Sequence, residues 1–136
     1  MKTRDRIVET ARELFNEEGA SRVTTNHIAA AMTISPGNLY YHFRDKEEII
    51  REIFARIVAD FDTLYRVPKD FVPTAAGFFG IFTRTCDLYY KYRFFYLELA
   101  TLLGRDPLLK KKYLANLRAR FRQQKAFYAR LADAGI

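Results

Sequence analysis

Apolar residues in this chain recur every three to four positions and nowhere alternate, and that periodicity confines it to helices. From Thr3 to Glu18 they fall at Ile7, Val8, Ala11, Leu14 and Phe15, one buried face of an amphipathic helix, with Gly19 behind them as a left-handed terminator. Thr24 reads as the N-cap of a second helix, Val23 stapling onto Ile28, that runs to about Met32. Four residues, Met32 to Ser35, break the pattern. Ser35 as N-cap and Pro36 at the first helical position then open a short third helix that ends near Phe43. Asp45 and Glu48 form a capping pair for a fourth, whose apolar face is Ile49, Ile50, Ile53, Phe54, Ile57, Val58 and Phe61 and which ends near Tyr65. After a turn around Arg66 to Pro73, residues 74–92 are apolar nearly all round, a pattern that places a helix inside a core. A helix from Phe94 to Leu103, stopped by Gly104, and a last one from Asp106-Pro107 to about Ala134, ended by Gly135, complete an all-α chain of seven expected helices.

At 136 residues the chain can bury a core without disulfides, and its single cysteine, Cys86, excludes an internal disulfide framework and is compatible with a reducing cytoplasm. No stretch approaches the roughly 20 apolar residues of a membrane span, and the N-terminus has no apolar signal segment. The net charge of +7 points to a polyanionic partner, but its distribution matters: residues 1–51 carry eight bases and eight acids, so the excess lies in residues 52–136. Within the neutral half the acids Glu9, Glu13, Glu17 and Glu18 gather on the first helix, while residues 22–46 hold Arg22, Arg44 and Lys46 against Asp45; Lys2, Arg4 and Arg6 are available as an N-terminal arm for phosphates.

Residues 24–43 read as helix, short turn, helix on a third supporting helix, the layout of a helix-turn-helix. A helix that enters a DNA groove must be short, exposed on one face and rich in groups that reach bases or phosphates. Pro36, Gly37, Asn38, Tyr40, Tyr41 and His42 meet that need, with Leu39 and Phe43 turned to the core. Gly37 allows close backbone approach, the helix N-terminus suits phosphate, and Lys46 follows as a point charge.

The run Thr24-Thr25-Asn26-His27-Ile28-Ala29, then Ile34-Ser35-Pro36-Gly37-Asn38-Leu39-Tyr40-Tyr41-His42-Phe43, then Asp45-Lys46-Glu47-Glu48, resembles the DNA-binding domain of the TetR family of bacterial repressors, over roughly residues 5–54. The resemblance implies a helix-turn-helix domain at 1–47 and a helical ligand-sensing domain at 48–136 that shares the long fourth helix. It implies a homodimer that represses transcription from a palindromic operator and is released by a small molecule. It places Thr25, Tyr40, Tyr41 and Lys46 at phosphates, Asn26, Gly37 and Asn38 at bases, and His42 at either; Thr24, Ser35 and Pro36 belong to the same candidate DNA-binding set. Thr33 departs from the family, which usually has glycine in that turn. Family members usually carry two further helices that build the dimer interface, so the chain is expected to be truncated after Leu131–Ile136.

Twelve of the 21 aromatic residues fall between 61 and 96, a concentration that needs either a core or a pocket. Aromatics at helical spacing are more often core; the resemblance shifts the balance toward a pocket for an apolar or aromatic effector, lined by Phe78, Phe82, Cys86, Tyr89, Tyr90, Tyr96, Leu99 and Phe121. Gly77 and Gly80 would leave room for it, and Arg84, Arg93 and Glu98 would supply polar groups. The basic last helix reads as a solvated face, with an anionic ligand, membrane or DNA contact as the sharper reading. No metal site, cofactor or catalytic constellation is expected: His27 and His42 stand fifteen residues apart without partners at ligand spacing, and Cys86 in an apolar helix is an inert thiol. A helical small-molecule carrier that has lost sequence-specific DNA binding is the alternative function.

Overall fold

The structure, a computed structural model, describes residues 1–66 and 74–135. Eight helices appear among them: α1 (Thr3–Glu18), α2 (Thr25–Met32), α3 (Pro36–His42), α4 (Lys46–Leu64), α5 (Ala75–Lys91), α6 (Arg93–Leu97), α7 (Leu99–Arg105) and α8 (Pro107–Asp133). The expected turn at Arg66 to Pro73 lies, beyond Arg66, outside the described residues.

Helices α2, α3 and α4 each begin at a side-chain cap. The Thr24 hydroxyl accepts the His27 N–H, and the His27 imidazole returns the favour by accepting the Thr24 N–H at Nδ1, so a histidine fills the place that glutamate takes in most capping boxes. Ser35 accepts the Asn38 N–H and Asp45 the Glu48 N–H. Gly19 has φ 89° and ψ 139°, a glycine conformation outside the left-handed helical well. The three supporting helices bury Ile7, Val8, Ala11, Phe15, Val23, Ile28, Ala29, Met32, Leu39 and Phe43 together with the inner face of α4. Each large side chain withdrawn from water contributes about 1.5–3 kcal/mol.

The expected helix over 94–103 is two helices, and the reason is tertiary. Phe94 and Phe95 are both buried, yet they pack on different elements: Phe94 on Phe15 of α1 (ring centroids 5.1 Å) and Phe95 stacked on Phe54 of α4 (5.4 Å). The chain ends around them are closed by α1. Asn16 Oδ1 accepts the Phe94 N–H, and Asn16 Nδ2 and Arg12 Nη1 both donate to the Lys91 carbonyl. Gly104 does not stop a helix; α7 runs through it and ends at Asp106.

Asp106 joins the two halves. It caps α8 by accepting the Leu108 N–H and pairs with Arg51 of α4 at 2.6 Å, both side chains largely withdrawn from water. Helix α5 contradicts its expected place in a core: none of its residues is buried, and Phe79, Phe82 and Tyr90 are 70%, 65% and 69% exposed. It lies on α4 through Tyr89 and Phe61 (5.4 Å) and meets α8 through Phe78 and Phe127 (6.2 Å), and the rest of its surface is exposed or half-buried. Cys86 is accordingly exposed, not core filler. Helix α8 buries only Leu109, so its basic residues Lys110, Lys111, Lys112, Arg118, Arg122, Lys125 and Arg130 lie exposed; Arg120 alone of that series turns inward.

Candidate nucleic-acid interface and effector cleft

Helix α3 is presented to solvent by a two-residue anchor. Leu39 and Phe43, at 0% and 1% exposure, fix its inner side, which leaves Ser35, Pro36, Gly37, Asn38, Tyr40 and Tyr41 outside. Tyr41 is 85% exposed, its ring edge-on to His42 at 5.1 Å, and no core contact accounts for an aromatic there. Tyr40 Oη and Thr25 Oγ1 lie 3.0 Å apart, so the N-terminus of α2 and the face of α3 are tied by a hydrogen bond and present Thr25, Asn26 and Tyr40 as one surface. A Cβ on Gly37 would meet only Ser35 Oγ, at 4.0 Å. The fold itself therefore has no need of glycine at this position.

The turn between α2 and α3 takes the left-handed shape at Thr33 (φ 56°, ψ 43°), with the Ile34 N–H reaching back to the Ala29 carbonyl. Thr33 thus adopts the geometry a glycine would, and the tilt of α3 is set by an ordinary helix-ending motif that carries a β-branched residue.

Two bases expected at phosphates serve the protein as well. Arg4 is no part of a free arm: α1 begins at Thr3, and Arg4 donates to the His42 carbonyl at 2.8 Å, lies over the Phe43 ring at 4.2 Å and pairs with Glu52. It caps the C-terminus of α3. Lys46 Nζ donates to the carbonyls of Ala20 (2.6 Å) and Val23 (3.1 Å), which leaves one of its three donors for a phosphate. Arg22 and Arg44 are exposed beside them.

The aromatic residues open onto two clefts between α4, α5 and α8. The larger, about 290 Å³, is lined by Tyr65, Phe78, Ile81, Phe82, Thr85, Gln123, Gln124, Phe127 and Tyr128. The smaller, about 110 Å³, is lined by Phe54, Ile57, Phe61, Tyr89, Tyr96, Tyr113, Asn116, Leu117 and Arg120, and shares Tyr65 and Gln124 with the first. Burial raises the Tyr89 phenol above the ordinary tyrosine range and the more deeply buried Tyr96 phenol well above it. Arg120 is held by Asp62 at 3.1 Å and lies over the Phe61 and Tyr65 rings.

Similarity to known proteins now bears on these features. The family described as bacterial regulatory proteins, tetR family, matches residues 7–53, and one described as bacterial transcriptional repressor matches residues 56–136. The chain belongs to the TetR family. A TetR-family transcriptional regulator from Marinobacter aquaeolei VT8 is 43% identical and superposes with a TM-score of 0.92, covering all of this chain and 67% of that one. Salmonella enterica GusR is 25% identical with a TM-score of 0.78, covering 98% of this chain and 69% of that one. An HTH-type transcriptional regulator of Staphylococcus aureus strain bovine RF122 / ET3-1 is 37% identical over 70 residues, which are 52% of this chain and 38% of that protein.

Within this TetR-family chain the expected DNA-binding residues lie on α2, α3, their N-caps and the first residue of α4, whereas the expected ligand residues divide between clefts and surface. Phe78 and Phe82 line the larger cleft, and Tyr89 and Tyr96 the smaller. Cys86, Tyr90, Leu99 and Phe121 line neither: Cys86 is exposed, Tyr90 lies under the Arg93 guanidinium at 4.4 Å, Leu99 packs on the core, and Phe121 is 69% exposed. Arg84, Arg93 and Glu98 also lie outside both clefts. The polar groups that do reach them, Thr85, Asn116, Arg120, Gln123 and Gln124, come mostly from α8. Gln123-Gln124, an uncharged pair within a strongly basic helix, was the one signal in the sequence that marked that stretch as different. No helix among the described residues is long and apolar enough to cross a membrane.

Proposed function

We propose that this chain is a DNA-binding transcriptional repressor that reads a palindromic operator through α2 and α3 as a homodimer and releases it when an apolar or aromatic small molecule enters the clefts between α4, α5 and α8. The observation that carries the reading is the outer face of α3, where Tyr41 is 85% exposed beside Asn38 and Gly37 with no packing role to explain it. A helix so presented fits the major groove, with phenols and helix N-termini donating to phosphates and Asn38 able to pair with adenine. A dimer supplies two such helices, which a two-fold operator requires. For the effector, the larger cleft is aromatic and amide-lined with no charged group on its described wall, which suits a neutral ligand. Entry there would press on Tyr65 at the end of α4, the helix that begins with Lys46 at the reading unit. Titration of a duplex enriched from a random pool tests the DNA half. Tyr41→Ala, which removes no core contact, is expected to leave the thermal midpoint in place and to lower affinity about tenfold or more. Unchanged affinity would refute the assignment of α3.

A further inference from the structure

The turn between α1 and α2 is held from two sides by opposite charges. From α4, Lys46 takes its carbonyls at Ala20 and Val23. From the other domain, the Glu98 carboxylate takes its amides: Oε2 accepts the Ala20 N–H at 2.7 Å, and Oε1 accepts both the Ser21 N–H at 3.2 Å and the Ser21 hydroxyl at 3.0 Å. Neither amide makes a backbone hydrogen bond, whereas on either side of them Gly19 N–H donates to Phe15 and Arg22 N–H to Gly19. Glu98 was a candidate cleft residue by sequence; it points instead at the reading unit. It sits at the junction of α6 and α7, one residue beyond a five-residue helix whose side chains meet three different surfaces. Phe94 packs on α1, Phe95 on α4, and Tyr96 lines the smaller cleft.

We infer that Glu98 is a positioning residue for DNA reading: its carboxylate sets the Gly19–Val23 turn, and through it the start of α2, whose Thr25 holds Tyr40 of α3. The inference rests on the DNA-reading function proposed above. Charge-assisted bonds to two otherwise unpartnered amides are strong and directional, and they add an orientation to the turn that the packing of Ala20 and Val23 alone does not set. Because Tyr96 and Glu98 belong to the same short segment, a shift of α6 at the cleft carries the carboxylate with it.

The test uses the full chain, a duplex selected by the wild-type protein and a scrambled duplex of equal length. Glu98→Gln keeps the shape but replaces one acceptor with an amide donor. The expected result is about a tenfold loss of affinity for the selected duplex, unchanged affinity for the scrambled one, and faster amide exchange at Ala20 and Ser21 with the centre of α1 unaffected. Glu98→Ala, which leaves both amides to water, is expected to give the same preference loss if the Gln variant folds poorly. Equal losses on both duplexes with a lowered thermal midpoint would reduce Glu98 to a folding role and overturn the inference. A preference that survives both substitutions would overturn it too, whereas a wild-type protein with no preferred duplex would bring down the DNA reading itself.

Discussion

Thr33 and Gly37 stand four residues apart in the reading unit and have opposite relations to their backbones. Thr33 occupies a left-handed conformation that a β-branched residue adopts at a cost, while Gly37 occupies ordinary helix with room for a side chain. Thr33→Gly should therefore stabilise the protein by about 1 kcal/mol, after the extra chain entropy of glycine is allowed for, and raise the thermal midpoint by about 3 °C. Calorimetry checks it, and the DNA affinity should not change because Thr33 contributes no side chain to the α3 face. Gly37→Ala should also stabilise the fold, but at the expense of binding. Helix propensity predicts a stability gain of up to about 1 kcal/mol, yet the added methyl stands where the helix N-terminus would meet DNA, so affinity should fall about tenfold. A variant that is more stable but binds less well would separate the two roles in one pair of measurements. Residues of this kind were partly legible in the sequence. The caps at Thr24, Ser35 and Asp45 and the Leu39–Phe43 anchor follow from local chemistry, and the special turn at Thr33 follows from the family resemblance. The second duties of Arg4 and Lys46 do not, because the carbonyls they satisfy lie 38 and 23–26 residues away.

At the scale of elements, α1 to α4 follow from their own periodicity, but α5 to α7 are decided by contacts from far along the chain. The break between α5 and α6, expected near residue 93, is held by Asn16 and Arg12, 75 to 79 residues away, whereas no local pattern announces the second break, at Glu98 between α6 and α7. The burial expected of α5 failed for a related reason. An apolar composition states that a helix wants cover, not that cover is supplied, and the contacts of α5 with α4 and α8 bury none of its residues fully. The joint between α4 and α8 is the element contact most open to test. Asp106 both caps α8 and neutralises Arg51, so Asp106→Ala removes a cap and leaves a largely buried guanidinium unpaired. The expected loss is about 3 kcal/mol in urea unfolding, with Asp106→Asn losing less because an amide oxygen still caps the helix. Equal losses for the two variants would mean that the charge pair, not the cap, carries the joint.

For the whole molecule, the two halves meet at several places: Arg51 with Asp106, Asn16 and Arg12 with the start of α6, and Glu98 with the α1–α2 turn. A reading head held this way is not an independent module on a tether, and its orientation answers to helices that also line the clefts. The excess of positive charge in residues 52–136 now has a location, the exposed length of α8, rather than the reading face. Binding to DNA would then depend on a few placed contacts more than on bulk charge, and its salt dependence should reflect those few phosphates. The measurement that bears most directly on this account is selection from a random duplex pool at two salt concentrations. The account predicts enrichment of one two-fold symmetric sequence, with half-sites about one helical turn or a multiple apart, persisting at the higher salt. Retention of duplexes without sequence preference, vanishing as salt rises, would contradict it and leave a basic helical protein with no operator.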